Sequence, residues 1–282
     1  MWQVVLIFSE TVLLSLLLHC IPQRIRDRGR NDHTVIMIRT AILFTFILSV
    51  IGFHKCLLRF KTISNFEMWG LTNKYPLLPI LMASIHICIL FTGPIVSCYY
   101  TSVLCKQSFF SALLSQFNYN YDVFIDLRNL LLAPLLEEIL YRGSIMTFLL
   151  HSGYSLLQSI LISSVAFGSC HFHHIFDAIH SGMPVQVAFF QCLFMFTYTT
   201  LFGILVSYVY VRTGSILAAT AVHSISNFFS MPSFAFLQSS SPLYPYRKVL
   251  LSSLFFGIVG YLVTFKLFLN PQLLNSQFSS LL

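Results

Sequence analysis

Charge is the scarcest commodity in this sequence. Of 282 residues only 9% are Asp, Glu, Lys or Arg, where a soluble domain carries about 25%, so a water-facing surface cannot be assembled from them. A soluble globular fold is excluded. Hydrophobic residues make up 56% of the chain and the mean hydropathy is +0.79, the composition of a protein solvated by lipid. At about 20 residues per crossing, the length accommodates roughly eight spans in a single domain, 1–282, with no separate aqueous domain.

Other absences narrow the field. The seven cysteines, Cys20, Cys56, Cys88, Cys98, Cys105, Cys170 and Cys192, form no C-x-x-C pair, which argues against a disulfide framework. No N-x-S/T acceptor marks a glycosylated lumenal loop, and no H-E-x-x-H marks a zinc protease. The 16 Lys plus Arg against 9 Asp plus Glu give a formal +7, but the excess lies in short connections, where it sets topology and meets anionic headgroups. No basic reading face exists, so nucleic acid is set aside. The first twenty residues lack a basic leader, contain Glu10 and end at Cys20-Ile21-Pro22, which reads as a retained span and not a removed signal.

What the sequence does contain is apolar runs, at about 2–20, 35–54, 77–100, 126–150, 155–180, 185–211, 215–230 and 249–269. Their continuous hydrophobicity predicts helices, since a barrel would alternate polar with apolar residues. The fold class is an all-α polytopic membrane bundle of about eight transmembrane helices. Phe109, Phe110, Leu113, Leu114 and Phe117 recur at helical spacing and suit a helix lying in the interface. Topology is harder to read. Arg24, Arg26, Arg28 and Arg30 mark the first connection as cytoplasmic, and Lys55, Arg59, Lys61 and Lys74 mark the second likewise. Either the run 35–54 re-enters, helped by Arg39 near its start, or one loop breaks the rule.

Two of the four glutamates, Glu137 and Glu138, are adjacent in the run 126–150. An acid at lipid depth costs about 2.5–3.5 kcal/mol even on the gentlest scale, so both need a partner or a wet cavity. Glu138 and Arg142 are spaced i, i+4 with the acid N-terminal, the arrangement of an ion pair that braces the helix. Glu137 points about 100° away and is free for chemistry. Pro134, just upstream, predicts a kink. A second cluster, His171-Phe-His173-His174 with Asp177 and His180, offers imidazoles able to position water; His173, His174 and His180 read more simply as surface residues of an emerging helix. A third, His223 and Asn227, again i, i+4, supplies two neutral donors suited to a developing oxyanion, or to plain interhelical hydrogen bonding. Acid, imidazole and amide on three helices are together the parts of a hydrolytic site.

At these clusters the sequence resembles the type II CAAX prenyl endopeptidases, or Ras-converting enzymes, within the intramembrane glutamate proteases. The motifs are E-E-x-x-x-R at Glu137, Glu138 and Arg142, F-x-x-x-H at Phe167 and His171, and H-x-x-x-N at His223 and Asn227; the likeness covers about residues 125–232, the expected catalytic core. Tyr141 stands where the eukaryotic branch usually carries Phe. The resemblance implies removal of the C-terminal tripeptide from isoprenylated CAAX proteins, such as Ras-like small GTPases, by a multi-pass endoplasmic-reticulum protein whose site is open to the cytosol. It implies Glu137 as general base, His171 holding the attacking water, His223 and Asn227 on the oxyanion, Glu138 and Arg142 as supports, and no cofactor or metal. The alternatives are a zinc-dependent intramembrane protease with ligands among these acids and histidines, and a transporter or scaffold using the acids as a proton relay.

Overall fold

The computed structural model describes residues 1–58, 75–116 and 122–281. Arg59, Lys61 and Lys74 of the second connection, Phe117 of the interfacial run and the side chain of Asp177 lie outside what is described. Each apolar run folds as helix, and no strand occurs among the described residues. The principal helices are α1 (Trp2–His19), α2 (His33–Leu57), α3 (Leu77–Leu90), α4 (Thr92–Leu104), α5 (residues 123–151), α6 (Leu156–Ser169), α7 (Val185–Thr213), α8 (Ile216–Phe229) and α9 (Arg247–Phe268).

Their boundaries follow local chemistry. Asp32 caps α2 by accepting from the Thr34 and Val35 amides, and Asp122 caps α5 through Phe124 and Ile125. Ser155 and Gln158 form a reciprocal capping box at the start of α6. Gly214 ends α7 in the left-handed conformation, φ +62°, and Ser215 then caps α8.

Among the described residues, three helices are long and apolar enough to cross a membrane unaided: α2, α7 and the helix containing α9. The pair α3 and α4, bent by 68°, makes a fourth if counted as one span, while α1 and α8 are shorter apolar helices. The bend falls at Thr92-Gly93-Pro94, where Pro94 cannot donate to the carbonyl four residues back. The run 35–54 lies within the uninterrupted 25-residue helix α2, which has no break of the kind seen between α3 and α4. The interfacial segment forms a short helix, Phe109–Gln116, with Phe110 exposed and Ala112 buried.

The run 126–150 departs most from expectation. On either side of Pro134, α5 contains two π-helical stretches, Arg128–Leu132 before the proline and Ile139–Met146 after the acid pair. Such wide turns inside an α-helix are rare and concentrate at functional sites. The run 155–180 is also divided: α6 stops at Ser169, a 3-10 turn carries Cys170–His173, and a short helix, His174–His180, follows. Apolar side chains of α1, α2, α5 and α6 form one core, with Phe46, Leu140, Tyr141, Phe148 and Phe167 among them. A second core joins α3, α7, α8 and α9.

Candidate active site

The three motifs converge where α5, α6, α7 and α8 pack. Arg142 is wholly buried, and such a charge survives only with its donors matched. Its Nη1 donates to Glu138 Oε1 at 3.1 Å, Nη2 to the Gly203 carbonyl at 2.8 Å and Nε to Ser207 Oγ at 3.3 Å, and the guanidinium lies over the Phe167 ring, 4.9 Å from its centroid. Gly203 is what admits it: a Cβ there would sit 3.0 Å from Ser164 Cβ and 3.3 Å from Arg142 Nη2. The i, i+4 pair expected between Glu138 and Arg142 is therefore present, with Oε2 also 3.0 Å from Nη1.

Glu138 receives a second partner from across the bundle. His223 Nδ1 donates to Glu138 Oε1 at 2.7 Å, and Phe202 and Phe167 pack edge-on against the imidazole. With Nδ1 committed to Glu138, the other nitrogen, Nε2, faces Glu137 Oε2 at 3.7 Å, beyond a direct hydrogen bond.

Glu137 differs from its neighbour. Its side chain is 26% exposed and lines a cavity of about 170 Å³ together with Tyr141, Cys170 and His171. The His171 Nδ1–H donates to the Phe167 carbonyl at 3.1 Å, which leaves Nε2 as the ring's acceptor. Phe167 thus holds His171 through its backbone and Arg142 through its ring, a physical reason for the F-x-x-x-H spacing. Gly168 beside it permits close packing, since any Cβ there would collide with the Thr200 side chain.

Asn227 lies one turn beyond His223 on an exposed face of α8. Its Nδ2 donates to the Asn129 carbonyl at 3.0 Å, within the first π stretch. The structure therefore brings Glu137 and His171 to one cavity, sets His223 against both glutamates, and ties Asn227 to the α5 backbone; neither His223 nor Asn227 is in the lining of that cavity.

Several residues escaped the sequence reading. His173 and His174, assigned to the surface, line the cavity with His171. Tyr141 lies one turn after Glu137, is fully buried and lines the same cavity; its i, i+4 relation to Glu137 was a usable signal. A further polar chain joins the N-terminal helices to α5. His54 Nε2 faces Glu10 Oε1 at 3.1 Å, Ser144 hydrogen-bonds His54 Nδ1 at 3.0 Å, and the imidazole stacks on Phe148. No group of three or more His, Cys, Asp or Glu side chains arranged to hold a metal occurs among the described residues.

Comparison with known proteins bears on the same stretch. Residues 118–229 match the family described as type II CAAX prenyl endopeptidase Rce1-like. The chain is 28% identical over 151 residues to the human CAAX prenyl protease 2, covering 53% of this chain and 44% of that protein. It is 31% identical over 149 residues to the Saccharomyces cerevisiae protein of the same name, covering 51% and 46%, and 30% identical over 121 residues to that of Caenorhabditis elegans, covering 43% and 44%. The matched part thus spans less than half the length of these relatives. No solved structure matches. Over the segment that holds the two glutamates, the paired histidines and the buried arginine, the chain resembles the type II CAAX prenyl endopeptidases.

Proposed function

We propose that the chain is an intramembrane endopeptidase that removes the C-terminal tripeptide from isoprenylated CAAX proteins with a glutamate-activated water. The observation that carries this reading is the contrast between two adjacent acids: Glu138 is tied down by Arg142 and His223, while Glu137 keeps a partly open carboxylate in a cavity beside His171. A base needs an accessible lone pair and a held water, and these two side chains supply them.

In this mechanism Glu137 accepts a proton as the water oxygen bonds to the scissile carbonyl carbon, and His171 Nε2 accepts the water's other hydrogen to orient it. The carbonyl oxygen becomes an oxyanion, to which His223 and Asn227 donate. Donation from Nε2 while Nδ1 is committed to Glu138 requires the imidazolium form of His223, between the two glutamates, and so departs from the neutral donor that the sequence suggested. Asn227 retains a second N–H on Nδ2 beyond the one given to Asn129. Collapse of the tetrahedral species breaks the C–N bond, and the proton held by Glu137 passes to the departing amine. Glu138 and Arg142 brace α5 and offset the cost of charge at this depth.

The substrates in this reading are prenylated C-termini such as those of Ras-like small GTPases, reached from the cytosolic side of the endoplasmic reticulum membrane. The lipid stays in the bilayer while the peptide enters the polar cavity. Residues 1–282 act as one transmembrane domain with the catalytic core at about 125–232, and no cofactor or metal takes part. The test is to incubate purified protein with a farnesylated CAAX peptide and its unprenylated twin, with and without a strong chelator, and to detect the released tripeptide by mass spectrometry. Release from the farnesylated peptide alone, unaffected by the chelator, is expected. Release from neither peptide refutes the activity, and loss in chelator that zinc restores favours the metalloprotease.

A further inference from the structure

The cavity that holds Glu137 and His171 has a second, basic end. Arg30, Arg39 and Arg128 also line it, and they come from the first connection, from α2 and from the first π stretch of α5. Arg128 is fixed in place: Nη1 donates to the Arg30 carbonyl at 2.8 Å, Nη2 to Asn31 Oδ1 at 3.0 Å and Nε to Asn129 Oδ1 at 2.9 Å. Arg30 and Arg39 lie close enough to act on it electrostatically as like charges. Among the described residues Glu137 is the one carboxylate in the cavity's lining, and Asp122, outside it, offsets only part of the charge around Arg128. Three guanidiniums gathered in this way repel one another, and an anion between them relieves the repulsion. Their planar forks match a carboxylate.

We propose that this basic end binds the free C-terminal carboxylate of the peptide substrate, so that the site measures its cut from the chain end. The proposal rests on the endopeptidase reading above and names the subsite that reading lacks. The lengths agree. Glu137 lies nine positions after Arg128, about 14 Å along a helix axis. A tripeptide in extended form spans about 10–11 Å, and an arginine side chain bridges the remainder. A single residue, at about 3.5 Å, falls short, and six, at about 20 Å, overshoot. Basic residues in connections commonly serve topology alone, but that role asks only for charge on one side of the membrane. It does not call for three guanidiniums in the wall of the cavity that holds the acid and the imidazole.

The test uses the full chain in phosphatidylcholine liposomes and a farnesylated CAAX peptide ending either in a free acid or in an amide. The wild-type protein is expected to favour the acid by about tenfold or more in kcat/KM, mainly through KM. Arg39→Gln and Arg30→Gln are expected to bring the acid down to the level of the amide, with Arg39→Lys recovering part of the preference. Equal turnover of both peptides by the wild type, or variants that slow both equally, overturns the proposal and leaves the endopeptidase reading standing. Binding of the two peptides to Glu137→Gln separates the claims. An acid-over-amide preference there, lost when Arg39→Gln is added, supports the subsite even where the wild type cuts nothing, an outcome that refutes the endopeptidase reading instead. Arginine variants that alter only binding to phosphatidylserine-containing vesicles assign these residues to lipid headgroups and overturn the proposal.

Discussion

Glu138 is wholly buried and takes hydrogen bonds from Arg142 and His223, whereas Glu137, the residue before it, keeps 26% of its side chain exposed in a cavity beside His171. One step of about 100° around the helix separates a carboxylate that holds the bundle together from one with room for a water. The difference teaches that a pair of membrane-embedded acids is to be read as two residues with two environments. A third acid, Glu10, supports the same view from α1: it faces His54 at 3.1 Å and joins α1 and α2 to Ser144 on α5, another clamp.

The comparison can be broken or sharpened experimentally. The largest effect on folding is expected from Arg142→Ala, which strands Glu138 in the interior. Removing one partner of a buried pair costs about 3–5 kcal/mol, read as a large drop in unfolding temperature in detergent. A variant as stable as the wild type would show that Glu138 does not need its clamp.

A smaller effect is expected at the other clamp. His54→Ala removes the imidazole that faces Glu10 and leaves the Ser144 hydroxyl without its hydrogen bond, a loss of about 1–3 kcal/mol in thermal unfolding. Turnover per folded molecule is expected to stay unchanged, because none of the three residues lines the cavity of Glu137. Loss of turnover without loss of stability would move this cluster into the catalytic apparatus.

The smallest effect concerns Asp122 at the head of α5. The hydrogen bond from His33, together with the Phe124 and Ile125 amides it caps, holds its carboxyl below the usual carboxylate range. A lowered carboxyl contributes stability above that range and loses it as pH falls through it. Asp122→Asn, an equally good cap, is therefore expected to flatten the acid side of the stability profile while leaving neutral pH little changed. An unaltered acid limb would remove this pair from the account.

How much of this was legible in the sequence depends on how local each feature is. Helix positions were readable because continuous apolar runs and the caps Asp32, Ser155 and Gly214 act within a few residues. The bend at Thr92-Gly93-Pro94 was signalled by its proline but passed over. The π stretches flanking Pro134 were not readable, since a widened turn depends on the neighbours that pack against it. In the site, the Glu138–Arg142 pair followed from i, i+4 spacing alone. The bond from His223 to Glu138 spans 85 residues and exists only because α8 packs on α5. The arginines at the basic end were hidden for the same reason: Arg30 and Arg39 read as topology signals until α2 and α5 are side by side.

The most direct test of the central claim is to prepare Glu137→Gln and Glu138→Gln side by side and measure tripeptide release from a farnesylated CAAX peptide together with thermal unfolding. Glu137→Gln is expected to lose about a thousandfold or more in turnover while unfolding close to the wild-type temperature, and Glu138→Gln to unfold markedly earlier. Substantial turnover by Glu137→Gln, or equal destabilisation of the two variants, would contradict the division of labour between the paired acids.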